Sequence, residues 1–160
     1  MVLFRKVYNF IKGQQNWFRT WFLRKSLNSC GKAYFWGKVD VINPRNLTIG
    51  DNCTINHGCY LNAFNPINIG NDVTLSANVS LISTGIDIKS WIEGKKCHLY
   101  NNGIIIGDHV WVGAGAQILN NVHIKGPYVV VAAGAIVNKD INESFCVVGG
   151  CPAKVIKYLR

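Results

Sequence analysis

The stretch "IIIGDHVWVGAGAQIL", Ile104 to Leu119, decides the fold. Aliphatic residues return in it at every sixth position, Ile106, Val112 and Ile118, and the beat continues through Ile124, Val130 and Ile136. Four places after each stands Val110, Ala116, Val122, Tyr128 or Gly134, mostly small or branched. A period of six matches neither the 3.6 of a helix nor the two of a strand. It matches a solenoid whose coils each take three short strands and three turns, with one residue per hexad pointing inward onto its equivalents above and below.

Working outward, the beat is present upstream as well. Ile49, Ile55 and Leu61 carry it, with Cys53 and Cys59 as small wall residues. After a two-residue slip at "NAFNP" it resumes at Ile69, Leu75 and Leu81, accompanied by Val73, Val79 and Gly85. About fifteen hexads imply roughly five coils, enough for each to bury its core on a neighbour. Between Leu81 and Ile104 the rhythm stops, and "LISTGIDIKSWIEGKKCHLYNN" supplies a Trp, a Cys and a His instead. A loop that long inside a compact fold is usually functional.

The expected organisation is a helical cap over 1–38, a β-helix over 39–141 with an excursion at about 84–103, and a C-terminal turn and short helix over 142–160. In the cap, Phe4, Val7, Ile11, Phe18 and Phe22 have spacings that place them on one helix face, and Gly13 is expected to divide the segment into two helices.

The chain has 160 residues and a formal charge of +9, which suits one globular domain. No acidic residue precedes Asp40, whereas Arg5, Lys6, Lys12, Arg19, Arg24, Lys25, Lys32 and Lys38 do. Trp17, Phe18, Trp21 and Phe22 interleave with these cations as in a segment that lies on a membrane surface. The simpler expectation is that the aromatics lie on the first coil. No nucleic-acid-binding module is recognisable, and charge alone does not make one. The six cysteines form no C-x-x-C pair and no secretory signal is evident, so reduced thiols and a cytoplasmic location are expected. The four histidines offer no H-x4-H pair for a zinc site, so no metal is expected.

The hexads, "IIIGDHVWVGAGAQIL", "VVAAGAIVNKD" and the ending "VVGGCPAKVIK" together resemble the hexapeptide-repeat acyltransferases, in their maltose/galactoside and polysaccharide O-acetyltransferase branch. The resemblance covers about Asn43 to Lys157. It implies a left-handed parallel β-helix, a homotrimer, acetyl-CoA bound between subunits, and transfer of acetyl to a hydroxyl of a sugar or glycan precursor. It further implies that Asn56 and Asn62 stand beside the acceptor and that Trp111 walls the acetyl-CoA tunnel. Gly115, Ala116, Ala133 and Gly134 match small positions along the pantetheine arm, and Lys139 and Lys154 match basic residues near the CoA phosphates.

One departure is plain. Where relatives carry a histidine in a "TGHDIxS" segment, this chain reads "TGIDIKS", and Ile86 cannot accept a proton. A hydroxyl attacks a thioester poorly without a base, and an imidazole suits that task. His98, within the excursion and with Trp91 beside the acceptor, is the first candidate; His57, directly after Asn56, is the second; a catalytically silent scaffold is the third. His109 and His123 read as structural. No Ser-His-Asp spacing offers itself, so direct transfer is expected. Backbone N–H groups near Gly113 to Gly115 are candidates for stabilising the developing oxyanion.

Overall fold

The computed structural model describes residues 2–159. A long helix, α1 (Val2–Ser26), precedes a three-sided parallel β-helix. The first face stacks β1 (Ser29–Cys30), β4 (Leu47–Ile49), β7 (Ile67–Ile69), β10 (Ile104–Ile106) and β13 (His123–Ile124). The second face holds β2 (Ala33–Trp36), β5 (Cys53–Asn56), β8 (Thr74–Leu75), β11 (Val110–Val112), β14 (Val129–Val131), β16 (Cys146–Gly150) and β17 (Ala153–Tyr158). The third face holds β3 (Asp40–Ile42), β6 (Tyr60–Asn62), β9 (Ser80–Ile82), β12 (Gln117–Ile118) and β15 (Ile136–Val137). Successive coils climb from face to face, so every strand up to β16 pairs in parallel with the strand one coil above or below.

The core is the column the hexads predict. Ile49, Ile55, Leu61, Leu75, Leu81, Ile106, Val112, Ile118 and Ile124 are all buried, and Cys53 and Cys59 fill wall positions with no exposure. Flat-sided aliphatic side chains stack here because strands of one face lie under 5 Å apart, too close for any polar group to be hydrated.

The frame departs from expectation after Ile124. Val131 and Val137 are the inward residues, while Val130 and Ile136 are only half-buried and face outward. The turn at Pro127–Tyr128 holds one residue more than a hexad allows. Tyr128 takes φ +59° and leaves the wall, its ring stacking between His109 at 4.7 Å and Phe145 at 4.8 Å. Val129 and Ala135 become the wall residues, and Gly134 sits exposed at a corner.

Three expectations about the ends are corrected. Gly13 does not divide α1, because a glycine costs only about 1 kcal/mol in a helix that has many other residues to sustain it. The solenoid starts before residue 39, since β2 already pairs with β5 from Ala33 to Trp36. The C-terminus is no helix: β17 returns antiparallel on β16, with Ala153 and Val155 packed inward. That hairpin covers the open N–H and C=O groups of the last coil on this face, a role a helix would leave undone.

Candidate active site

The excursion leaves the third face after β9 and rejoins the first face at β10, so it springs from the edge between those faces. Asn65, from the slip at "NAFNP", clasps its base. This buried amide donates to the carbonyls of Ser83 (2.6 Å) and Leu99 (2.9 Å) and accepts from the Asn101 N–H (3.3 Å). Ser83 Oγ donates to Asn65 O at 2.6 Å and accepts from the Asn65 N–H at 2.9 Å. At the exit Gly103 has φ +73°, and a Cβ there would lie 1.8 Å from Pro66 O.

Inside the loop, Asp87 caps a short helix, α2 (Ile88–Ile92). Its carboxylate accepts from Ser90 Oγ at 2.6 Å and from the N–H groups of Lys89 and Ser90. The Ser90 hydroxyl, with those N–H groups, holds the Asp87 carboxyl below the usual carboxylate range. Trp91 stands exposed on α2.

The decisive feature is a pairing. Ile86 and His98 form an antiparallel bridge, flanked by hydrogen bonds from Asp87 N to Cys97 O (2.7 Å) and from Leu99 N to Gly85 O (2.9 Å). Bonds that flank a pair and do not join it mark the narrow kind of antiparallel pair, whose side chains lie on one face with Cβ atoms about 4.5–5.5 Å apart. His98 therefore stands directly beside Ile86, the position at which the family resemblance implies a histidine. Its ring leans on Phe64, 5.2 Å between centroids, and Phe64 in turn contacts Tyr100 at 5.3 Å. Asn62 ends β6 at the same edge, with Oδ1 accepting from the Phe64 N–H (3.3 Å) and Nδ2 near Tyr60 OH (3.3 Å). Lys139 also falls at this edge, between β15 and the Ile141 bridge to the first face.

A second group lines the edge between the second and third faces. Trp111 projects from β11, 54% exposed, with its Nε1 donating to Ser76 Oγ at 2.9 Å. Beside it Gly115 and Gly134, both at φ +68°, occupy successive corners with Ala133, and a Cβ at either glycine would meet nothing within 4 Å. These corners are open to solvent, and a flat indole stands next to them. That suits a long, thin, partly apolar arm. Lys154 is exposed on β17, opposite Gly149, at the far end of this face. Lower on the same edge, Asn56 donates to Leu75 O at 2.9 Å, and His57 lies among Lys12, Arg19 and Lys38 beneath α1.

The Ala116 side chain is fully buried in the core. The N–H groups of Gly113 and Gly115 donate to Val131 O (2.8 Å) and Ala77 O (3.0 Å). His109 is structural as expected, its N–H bonded to Asn71 O and its ring stacked on Tyr128. His123 precedes the buried Ile124, its N–H bonded to Asp140 Oδ1 at 2.8 Å. Asn65, Ser83, Asp87 and Ser76 escaped the sequence reading. Of these only Asp87 carries a local signal, an Asp three places before a Ser at the head of a short helix.

The two groups lie on different edges of one prism, separated by the breadth of the third face. The concave surfaces beneath α1 are lined by residues such as Trp17, Tyr34 and Trp36, and include neither Trp111 nor His98.

No family model matches the chain. The Saccharomyces cerevisiae protein named "Putative acetyltransferase YJL218W" is 31% identical over 144 residues, 84% of this chain and 68% of that protein. A maltose O-acetyltransferase from Clostridium difficile superposes with TM-score 0.79 at 30% identity, over 89% of this chain and 75% of that one. A hexapeptide-repeat acetyltransferase from Vibrio cholerae, solved with acetyl-CoA, gives TM-score 0.77 at 25% identity, covering 89% and 76%. A galactoside acetyltransferase solved with coenzyme A gives 0.70 at 26%, covering 89% and 70%. The chain thus belongs to the hexapeptide-repeat acetyltransferases, left-handed parallel β-helix enzymes that use acetyl-CoA.

Proposed function

We propose that this enzyme is an O-acetyltransferase that acetylates a hydroxyl of a sugar or glycan precursor, in the building of a surface polysaccharide, with His98 as general base. The observation that supports the reading is the narrow antiparallel pair between His98 and Ile86, with the imidazole within side-chain reach of the position where the resemblance implies a histidine. His98 takes the proton from the acceptor hydroxyl as its oxygen attacks the thioester carbonyl carbon. The C–S bond breaks, and the departing CoA sulfur is protonated. Asn56 and Asn62 orient the acceptor, Trp91 offers it an aromatic face, and Trp111 holds the acetyl-CoA arm with Gly115, Ala133 and Gly134. Lys154 and Lys139 meet the CoA phosphates as point charges.

Because the His98 and Trp111 edges diverge in one chain, the reading requires a second copy to bring them together, and a closed ring of three places each edge against its neighbour's complement. All six cysteines are free, and acetyl-CoA as the donor supports a cytoplasmic reaction. His57 is the alternative base, favoured by its place on the same edge as Trp111. The test is thiol release from acetyl-CoA with a panel of sugars and short glycans. Acceptor-dependent release that His98→Ala abolishes and His57→Ala spares supports the reading; release that survives His98→Ala and is lost in His57→Ala transfers the role to His57.

A further inference from the structure

The apolar face of α1 points the wrong way for a cap. At 3.6 residues per turn, Phe4, Val7, Ile11, Phe18 and Phe22 fall within about 60° of one another. Phe4 is 85% exposed, Phe18 61% and Phe22 62%, so this face does not lie on the first coil. What meets the solenoid is the opposite stripe. Asn16 Nδ2 donates to Phe35 O at 3.1 Å, Leu23 and Leu27 pack on the core cluster, and Thr20 is half-buried. Arg24 adds a bond to Gly31 O at 2.5 Å. The helix thus offers its narrow stripe to its own protein and its broad aromatic stripe to the outside.

The charges say what covers that stripe. Lys12 and Arg19 stand on one flank and Lys6 and Arg24 on the other, with Lys25 at the margin, while Trp17 and Trp21 occupy the boundary. No acidic residue occurs in the helix. A face that packed on the same helix of a second copy would bring like charges together with none opposite to relieve them. Long basic side chains can instead reach up past an apolar face to anionic headgroups while the aromatics enter the interface.

We infer that α1 is a surface anchor that lays its Phe4–Phe22 face into an anionic lipid bilayer, holding the β-helix against the membrane. This does not rest on the reaction proposed above. The full chain is mixed with vesicles of phosphatidylcholine alone or with added phosphatidylglycerol, and bound protein is measured by co-sedimentation together with tryptophan emission. Wild type binds the anionic vesicles with a blue shift, at least about tenfold better than the neutral ones, and salt weakens binding. Phe18→Gln with Phe22→Gln loses at least about tenfold, and so does Arg19→Gln with Lys25→Gln, at unchanged Tm. Absence of binding to anionic vesicles at low salt overturns the inference, as does equal binding by wild type and the phenylalanine pair. A lower oligomeric state of the phenylalanine pair in light scattering also overturns it, because the face then lies between copies.

Discussion

If His98 acts because it faces Ile86 across a narrow antiparallel pair, the imidazole should be movable from one strand of the pair to the other. His98→Ala removes a general base, an effect of about 10²–10⁴ in turnover. That corresponds to roughly 2.7–5.4 kcal/mol of barrier. His98 is exposed and its ring only leans on Phe64, so stability should change by less than about 0.5 kcal/mol. Adding Ile86→His to His98→Ala restores an imidazole whose Cβ starts about 5 Å from the lost one, on the same face of the pair. Ile86 is itself 54% exposed, so the ring meets no core. Recovery is partial, since a misplacement of 1 Å can remove a hundredfold, but at least about tenfold of the lost rate should return. Thiol release from acetyl-CoA with saturating acceptor reads it, with CoA affinity as the control. Turnover left within about twofold of wild type in His98→Ala would refute the base assignment. A double variant no better than the single one, with both folded and binding CoA, would refute the geometric argument.

Three further outcomes follow from the geometry. Trp111→Ala takes the indole from the corner column and should raise KM for acetyl-CoA about tenfold, roughly 1.4 kcal/mol, with a smaller change in kcat; an unchanged KM removes Trp111 from the donor site. Gly103→Ala forces a Cβ onto Pro66 O at a positive φ, so calorimetry should show a loss of about 2 kcal/mol or more and activity should fall with it; a neutral substitution would show that the loop exit is not fixed as described. Because the Asp87 carboxyl is held below its ordinary range by Ser90, its cap on α2 is fully present above that range and is lost only as pH falls through the lowered value. Trp91 emission should therefore stay constant through mildly acidic pH and change below it, whereas Asp87→Ala should show the changed emission already at neutral pH; a wild-type transition near pH 5 would contradict the sign.

The hexad beat exposed the core because inward positions must be aliphatic wherever coils stack, and its positions from Ile49 to Ile124 are buried on both sides of the slip and the excursion. It lost the frame at Pro127 for an equally physical reason. Val129, Val130 and Val131 are all valines, so either phase fits the template, and only the extra residue in the turn decides which of them faces inward. "CPAKVIKYLR" is too short for its periodicity to separate helix from strand, and the open ladder of β16 settled it. In α1 the spacing identified an apolar face but not its direction, because periodicity carries no information about which side meets the protein. The excursion was visible as a gap in the rhythm, and His98 as its only histidine. Its pairing with Ile86 was not visible, since the eleven residues that loop out between them and return leave no mark of their register. Nor was the separation of His98 from Trp111, which comes from counting corners around three faces.

That separation makes the central claim directly testable. His98→Ala chains, nearly inactive alone, and Trp111→Ala chains, about tenfold down when acetyl-CoA is held well below KM, are unfolded, mixed in equal amounts and refolded together, and thiol release at that acetyl-CoA level is compared with the sum of the two alone. A site shared between copies predicts that activity returns, to about a quarter of wild type for random assembly, because some sites then draw both intact edges from different chains. A mixture no more active than its separate components would place both residues in one chain's site and contradict the account.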